Sequence, residues 1–197
     1  MEKVYIVKYY KDKNGLKRGD SMEKRSVIFY DEMSSPLGPL TVVCSNLGVC
    51  LIEFGSIEQS MANIKVWMKK NYIKGELTFN EEKIQPVMTQ LKQYFDGERV
   101  EFDLSIDLIG TKFQCLVWEQ LKKIKFGETK SYKQIAKEIG APKAVRAIGG
   151  ANNKNPLPII IPCHRVIGSN GALVGYGGGV DKKEILLEME GSIKKIS

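Results

Sequence analysis

A cysteine and the chain's only histidine stand side by side in Ile161-Pro162-Cys163-His164-Arg165-Val166. A thiol works as a nucleophile in its thiolate form, and an ordinary pKa of about 8.5 leaves little of it ionised at neutral pH, so a working cysteine needs a base or a positive field nearby. His164 is the one imidazole that can serve. The preceding run, Pro156 to Ile161, is too apolar and β-branched for a surface loop and too proline-marked for a helix, which predicts a buried extended segment delivering Cys163 to an interior wall. Neighbouring side chains on such a segment point to opposite faces, which favours a bridging water over direct thiol–imidazole contact. The competing reading is a structural thiol, since most free cysteines are simply buried.

The stretch after the pair, residues 166–179, is rich in glycine around a single aromatic, Tyr176. Glycine lets backbone approach a ligand closely, and a flat ligand could slide in beside the ring. Ahead of the pair, Thr111-Lys-Phe-Gln114 and Ser131-Tyr-Lys-Gln134 are capping-box patterns. The first opens a helix with Phe113, Leu116, Val117, Trp118 and Leu121 inward, and the second a short helix ended by Gly140. A further helix runs from Pro142 or Lys143 to about Ala151, and Asp181-Lys-Lys-Glu184 caps a last one that Gly191 closes. Two short helices across a tight turn suggest a helix-turn-helix, with a plain helical hairpin as the alternative. Ala144, Ala147 and Ala151 fall on one stripe, which suits core packing or a close approach to a DNA groove, while Arg146 projects elsewhere as a long cation.

Charge agrees with a polyanion partner for this part of the chain. The net charge is +7, and residues 1–106 hold 15 Lys plus Arg against 15 Asp plus Glu, whereas residues 107–197 hold 15 against 8. The whole excess therefore lies in the second part. At 197 residues, 43% hydrophobic and 27% charged, the composition is that of an ordinary soluble protein with one large or two small cores. No apolar run is long enough to span a membrane and no signal-peptide core follows Met1, so a cytoplasmic protein is expected. Cys44, Cys50, Cys115 and Cys163 have neither disulfide-scaffold spacing nor the histidines of a zinc site, and read as reduced thiols.

The first part of the chain reads as the α/β partner. Residues 1–25 form an extension in which Val4 to Tyr10 could be an edge strand or an unpacked tail, and Met22-Glu-Lys repeats the opening Met1-Glu-Lys, as a second start would. From residue 26 the alternation of Val27–Tyr30, Leu40–Cys44 and Val49–Phe54 predicts a small antiparallel meander. Two helices follow, one around Met61, Ile64, Val66, Trp67 and Met68, the other opening at Pro86, and Val100 to Ile106 predicts a further strand. Asp107 to Gly110 is the expected join between a domain of residues 26–106 and one of 111–191.

Over roughly residues 26–191 the chain resembles the O6-alkylguanine-DNA alkyltransferases, the methylated-DNA-protein-cysteine methyltransferases. The likeness is carried by Ser34-Ser-Pro-Leu-Gly38, Phe126-Gly-Glu-Thr-Lys-Ser-Tyr132, Arg146-Ala-Ile-Gly-Gly-Ala-Asn152, Asn155-Pro156, Pro162-Cys-His-Arg-Val166, Gly175-Tyr176 and Lys183 through Glu190. It implies a ribonuclease-H-like α/β first domain and a mainly helical, winged helix-turn-helix second domain that enters the DNA minor groove.

The resemblance also implies roles. Cys163 takes the alkyl group of O6-alkylguanine, and by extension O4-alkylthymine, from a flipped nucleotide in a single irreversible turnover without a cofactor. His164, oriented by Glu190, draws the thiol proton through a water. Tyr132 crowds the target phosphate and donates toward guanine N3, while Arg146 fills the gap left in the duplex beside the small surface of Ala144, Ala147 and Ala151. The carbonyls of Cys163 and Val166 accept from the exocyclic amine, a backbone N–H near Gly177 supports O6, Tyr176 lines the pocket, and Asn155 is a hinge. Asn152 stands where some relatives have an apolar pocket wall, and Gly177 where some have serine. The zinc site of some relatives has no counterpart, so no metal is expected. Rival readings are a non-catalytic alkyltransferase-like lesion binder, which characteristically lacks the cysteine, a winged-helix redox-sensing regulator, and a cysteine hydrolase lacking an evident oxyanion site.

Overall fold

In the computed structural model, residues 10–12, 15–17 and 27–193 are described, and the chain divides into two units, Met1–Thr111 and Lys112–Ser197. Before Val27 only a short antiparallel hairpin is described, β1 (Tyr10–Asp12) with β2 (Gly15–Lys17). The rest of the expected 1–25 extension, including most of its strand over 4–10, lies outside the described residues.

β3 (Val27–Met33), β4 (Leu40–Ser45) and β5 (Gly48–Phe54) form the expected antiparallel meander, with β4 buried along its length. Its last turn needs glycine, because Gly48 has φ +143° and a Cβ there would strike the Ser105 carbonyl. A Ser56–Gln59 capping box opens α1 (Ile57–Lys70), whose Ile64 and Met68 pack on Ile28, Val43 and Leu51. That helix carries the chain back so that β6 (Glu76–Phe79) runs parallel to β3, in the order β5-β4-β3-β6. The sheet is therefore mixed, where an antiparallel one was expected. β6 has only four residues and three of them are exposed, which leaves no apolar alternation to read.

Two more expectations are corrected. α2 (Glu81–Phe95) begins five residues before Pro86, with Asn80 Oδ1 accepting from Lys83 N–H at 2.9 Å. Pro86 costs the helix one bond to the Glu82 carbonyl, and both residues are exposed, so water can replace it. The strand expected over 100–106 is reduced to a single parallel bridge, Val49 to Ile106, held by two backbone bonds of 2.9 Å. Within the segment expected to join the domains, Asp107 accepts from Ser45 Oγ at 2.8 Å and Ile109 belongs to the sheet's core.

Among its described residues the second unit is made of helices and loops apart from one parallel strand pair, β7 (Lys130–Ser131) with β8 (Val166–Ile167). α3 (Lys112–Leu121) buries Val117, Trp118 and Leu121 as expected, but Leu116 is half exposed. α4 (Tyr132–Glu138) has the Ser131–Gln134 capping box, and the turn at Gly140 leads to α5 (Val145–Asn153). α5 starts two or three residues later than expected, from Ala144, which makes no side-chain cap bond. α6 (Val180–Met189) starts after Gly179, not on a cap from Asp181, which sits in the first turn with its carboxylate near the helix's positive end. Gly191, at φ +70°, closes it with the Ser192 N–H bonding the Leu187 carbonyl at 2.9 Å.

The run before Cys163 is buried as expected but is not extended. Successive tight bonds fold it, from Ile160 N to Pro158 O at 3.0 Å and from Ile161 N to Leu157 O at 2.8 Å, around Ile159 at φ +74°. With no strand among the described residues paired to it, its backbone groups bond one another locally.

Candidate functional site

Cys163 to Arg165 make one turn of 3-10 helix, entered by a bond from Cys163 N to Ile161 O at 2.7 Å. Successive side chains in such a turn diverge by about 120° instead of pointing oppositely. The Cys163 side chain is only 3% exposed. Asn155, two residues past the end of α5, donates from Nδ2 to Cys163 Sγ at 3.0 Å and to the Ile161 carbonyl at 2.8 Å, while its Oδ1 accepts from Leu157 N–H at 3.0 Å. One carboxamide thus fastens the end of the helix to the nucleophile and to the turn before it.

His164 is fully buried, with Nε2 on Glu190 Oε1 at 2.9 Å and Nδ1 without a hydrogen-bond partner among the described residues. Glu190 also receives Arg165 through Nε at 2.8 Å and Nη2 at 2.8 Å. Arg165 in turn donates from Nη1 to the Ile124 carbonyl at 2.6 Å and lies 5.8 Å from the Phe126 ring centroid. On the same buried face of α6, Lys183 donates from Nζ to the Val166 carbonyl at 2.5 Å and to the Val174 carbonyl at 2.9 Å. Tyr132 shares the second of those acceptors, its hydroxyl donating to Val174 O at 2.9 Å and lying 3.3 Å from Gly175 O.

These surroundings set the protonation states. Burial pushes the Cys163 thiol up to about 11, against the opposing hydrogen bond from Asn155 and the charge of Lys183. Burial likewise pushes His164 down, Lys183 down to about 8 and Tyr132 up to about 12, the last helped by Cys163. Glu190 is also pushed up by burial, but the bonds from His164 and Arg165 and their charges outweigh it and hold the carboxyl at about 2. The resting pair is a neutral thiol beside a neutral imidazole, with one fixed carboxylate behind it.

The remaining expected residues divide between surface and interior. On α5, Arg146 and Ala147 are exposed and Ala144 is partly buried. Ala151 is corrected from that surface to the core: it is 4% exposed and its carbonyl accepts from Trp118 Nε1 at 2.8 Å. Gly150, which is exposed and has open space at its missing Cβ, takes the outward place. Tyr176 and Val166 are buried and Gly177 is exposed. Gly175 is held at φ +68° with its missing Cβ 2.9 Å from the Tyr132 hydroxyl, so a side chain there would displace the tyrosine. Asn152 is 1% exposed, its Nδ2 3.3 Å from the Cys163 carbonyl.

Lys183 and Arg165 were not singled out from the sequence as site residues. The signal was available for Lys183, because 183, 186, 187 and 190 share one helical face whose other members are two leucines and the expected site residue Glu190. Cys44, Cys50 and Cys115 are buried and in no disulfide among the described residues, and burial raises Cys44 to about 12 and Cys115 to about 11. Among the described residues no group of three or more His, Cys, Asp or Glu could hold a metal ion, and no helix is long and apolar enough to cross a membrane.

A helix-turn-helix unit carrying a buried Cys–His–Glu constellation, following in the chain a unit built on a small mixed sheet with helices, defines a class, and comparison with known proteins identifies it. Residues 28–108 match the ribonuclease-like domain, and residues 112–192 the DNA-binding domain, of 6-O-methylguanine DNA methyltransferase. This chain belongs to that family. The methylated-DNA–protein-cysteine methyltransferase of Methanosarcina acetivorans is 43% identical over 84% of this chain and 99% of its own length. The one from Mycolicibacterium paratuberculosis is 52% identical over 83% and 93%. Among solved structures, Mycobacterium tuberculosis OGT in complex with DNA is 41% identical with a TM-score of 0.71, covering 83% of this chain and 93% of that one.

Proposed function

We propose that this chain repairs DNA by direct reversal, transferring the alkyl group of O6-alkylguanine to its own Cys163. The observation that carries this reading is the Cys163 thiol, gripped by Asn155 at 3.0 Å, next to an imidazole that is anchored to Glu190 and has Nδ1 unpartnered among the described residues. Nδ1 is the natural end of a one-water path for the thiol proton. The thiolate pair then forms the S–C bond, the C–O6 bond breaks, and guanine leaves with that electron pair. Tyr132 donates its hydroxyl proton to guanine N3, the proton that His164 took from the thiol is passed back through water to restore the phenol, and Lys183 favours the thiolate by its charge. The product is a thioether that no side chain of the site can cleave, so each chain acts once.

Access requires the nucleotide to leave the stack, at a cost of a few kcal/mol that is smaller for a poorly paired base. Exposed Arg146 fills the gap, and Ala147 with Gly150 lets α5 approach the minor groove closely. Val166, Tyr176 and Gly177 line the base pocket, and O4-alkylthymine is a second substrate. A non-catalytic lesion binder would have no use for the nucleophile. A redox regulator would have no use for the buried His164–Glu190–Arg165 network.

The test is intact mass after mixing with an oligonucleotide carrying O6-methylguanine. One added methyl per chain is expected, on the Cys163 peptide and saturating at one equivalent, with none on Cys163→Ser. Repeated turnover, or label on Cys44, Cys50 or Cys115, refutes the proposal.

A further inference from the structure

We infer that the side-chain carbonyl of Asn152 accepts from the exocyclic 2-amine of the flipped base, and so biases the protein toward guanine over thymine lesions. This rests on the alkyl-transfer reading above and adds a residue that selects the base. Asn152 lies in the last turn of α5 and is 1% exposed. Its Nδ2 faces two carbonyl oxygens, Cys163 O at 3.3 Å and Gly175 O at 3.5 Å, which fixes the amide's orientation because the reverse would set oxygen against oxygen. Oδ1 is then a buried acceptor with no hydrogen-bond partner among the described residues. Such an atom is costly to leave unmade and is rare without a reason.

Its place gives the reason. The two ends of a carboxamide are only about 2.3 Å apart, so Oδ1 lies within about 6 Å of the carbonyl oxygen of Cys163, the residue whose Sγ must reach the alkyl group. The two carbonyls that the family resemblance assigns to the amine already accept in this chain, Cys163 O from Asn152 and Val166 O from Lys183. Each of those oxygens already takes a hydrogen bond, whereas Oδ1 accepts none among the described residues. O6-alkylguanine has one exocyclic donor, the 2-amine, whereas O4-alkylthymine has none and presents its O2 to an oxygen that cannot donate.

The experiment compares rates of methyl transfer to Cys163 from oligonucleotides carrying O6-methylguanine, O6-methylhypoxanthine, which lacks only the amine, and O4-methylthymine. The wild-type chain should favour guanine over hypoxanthine by at least about tenfold, the order expected for one buried hydrogen bond. Asn152→Leu should cut that ratio by about tenfold through slower guanine transfer, and Asn152→Ala, which adds no bulk, should do the same. Equal rates on guanine and hypoxanthine in the wild type overturn the inference, as does a ratio that neither variant changes because both rates fall alike. A wild type that transfers nothing from O6-methylguanine refutes the alkyl-transfer reading itself, a distinct outcome.

Discussion

Replacing Glu190 by glutamine removes the one charge that holds the buried network together. The carboxylate receives His164 Nε2 at 2.9 Å and Arg165 Nε and Nη2 at 2.8 Å each, and its side chain is fully buried. Losing one partner of a buried pair typically costs about 3–5 kcal/mol. An independent route gives a similar figure: holding the carboxyl at about 2 against an ordinary 4.5 amounts to about 3 kcal/mol. The sign follows from proton counting. Between those two values the unfolded chain binds more protons than the folded one, so the contribution is complete above pH 4.5 and is lost as pH falls toward 2. Urea midpoints of wild type and Glu190→Gln, read from Trp118 fluorescence in a Trp67→Phe background, should differ by about 3 kcal/mol at pH 7 and by only about 1 kcal/mol at pH 3. A gap under about 1 kcal/mol at pH 7, or one that does not change between pH 6 and pH 3, refutes the account of the network.

Two further outcomes test the DNA-facing and post-reaction states. Arg146→Ala should slow transfer from duplex DNA more than transfer from the free base O6-benzylguanine, which needs no extrusion, and equal losses would place Arg146 in support of the fold instead. Alkylation should destabilise the second unit by about 1–3 kcal/mol for a methyl group and more for benzyl, because Cys163 is 3% exposed and an added carbon overpacks its site. Because Asn155 joins Sγ to the end of α5, hydrogen exchange over residues 143–156 should also quicken, and unchanged midpoints and exchange in the benzylated protein would disprove that coupling.

What could be read from the sequence was whatever a local rule determines. The β3–β5 meander, the capping box at Ser131 and the glycine that ends α6 follow from alternation, side-chain chemistry and positive φ, and all three are present. The misreadings came where pairing partners decide. β6 is a strand because β3 offers it an edge, and 100–106 is not one because only Val49 pairs with it. The Pro156–Ile161 run was legible as buried but not as folded, since burial follows from composition whereas the path depends on which backbone groups find each other. Cys163, His164, Glu190 and Asn155 come together as the motifs implied. Ala151 was misplaced because an alanine's size suits a helix contact and a groove equally, and only the indole of Trp118 decides between them. Arg165 is not legible because nothing local distinguishes a surface arginine from one held by Glu190 and the Ile124 carbonyl.

Ile159 bears on how this region can change over time. A β-branched residue at φ +74° occupies backbone space that glycine takes without penalty, and such a conformation costs on the order of 1–3 kcal/mol. Glycine would nevertheless be the worse choice, because the isoleucine side chain is 99% buried and deleting so much of it costs about 2–5 kcal/mol. Neither the backbone preference nor the packing preference can be satisfied alone, so every single exchange at 159 loses something. Drift through this turn has to proceed by paired substitutions, with the residues under Cys163 inherited as a block even where no one of them takes part in the chemistry.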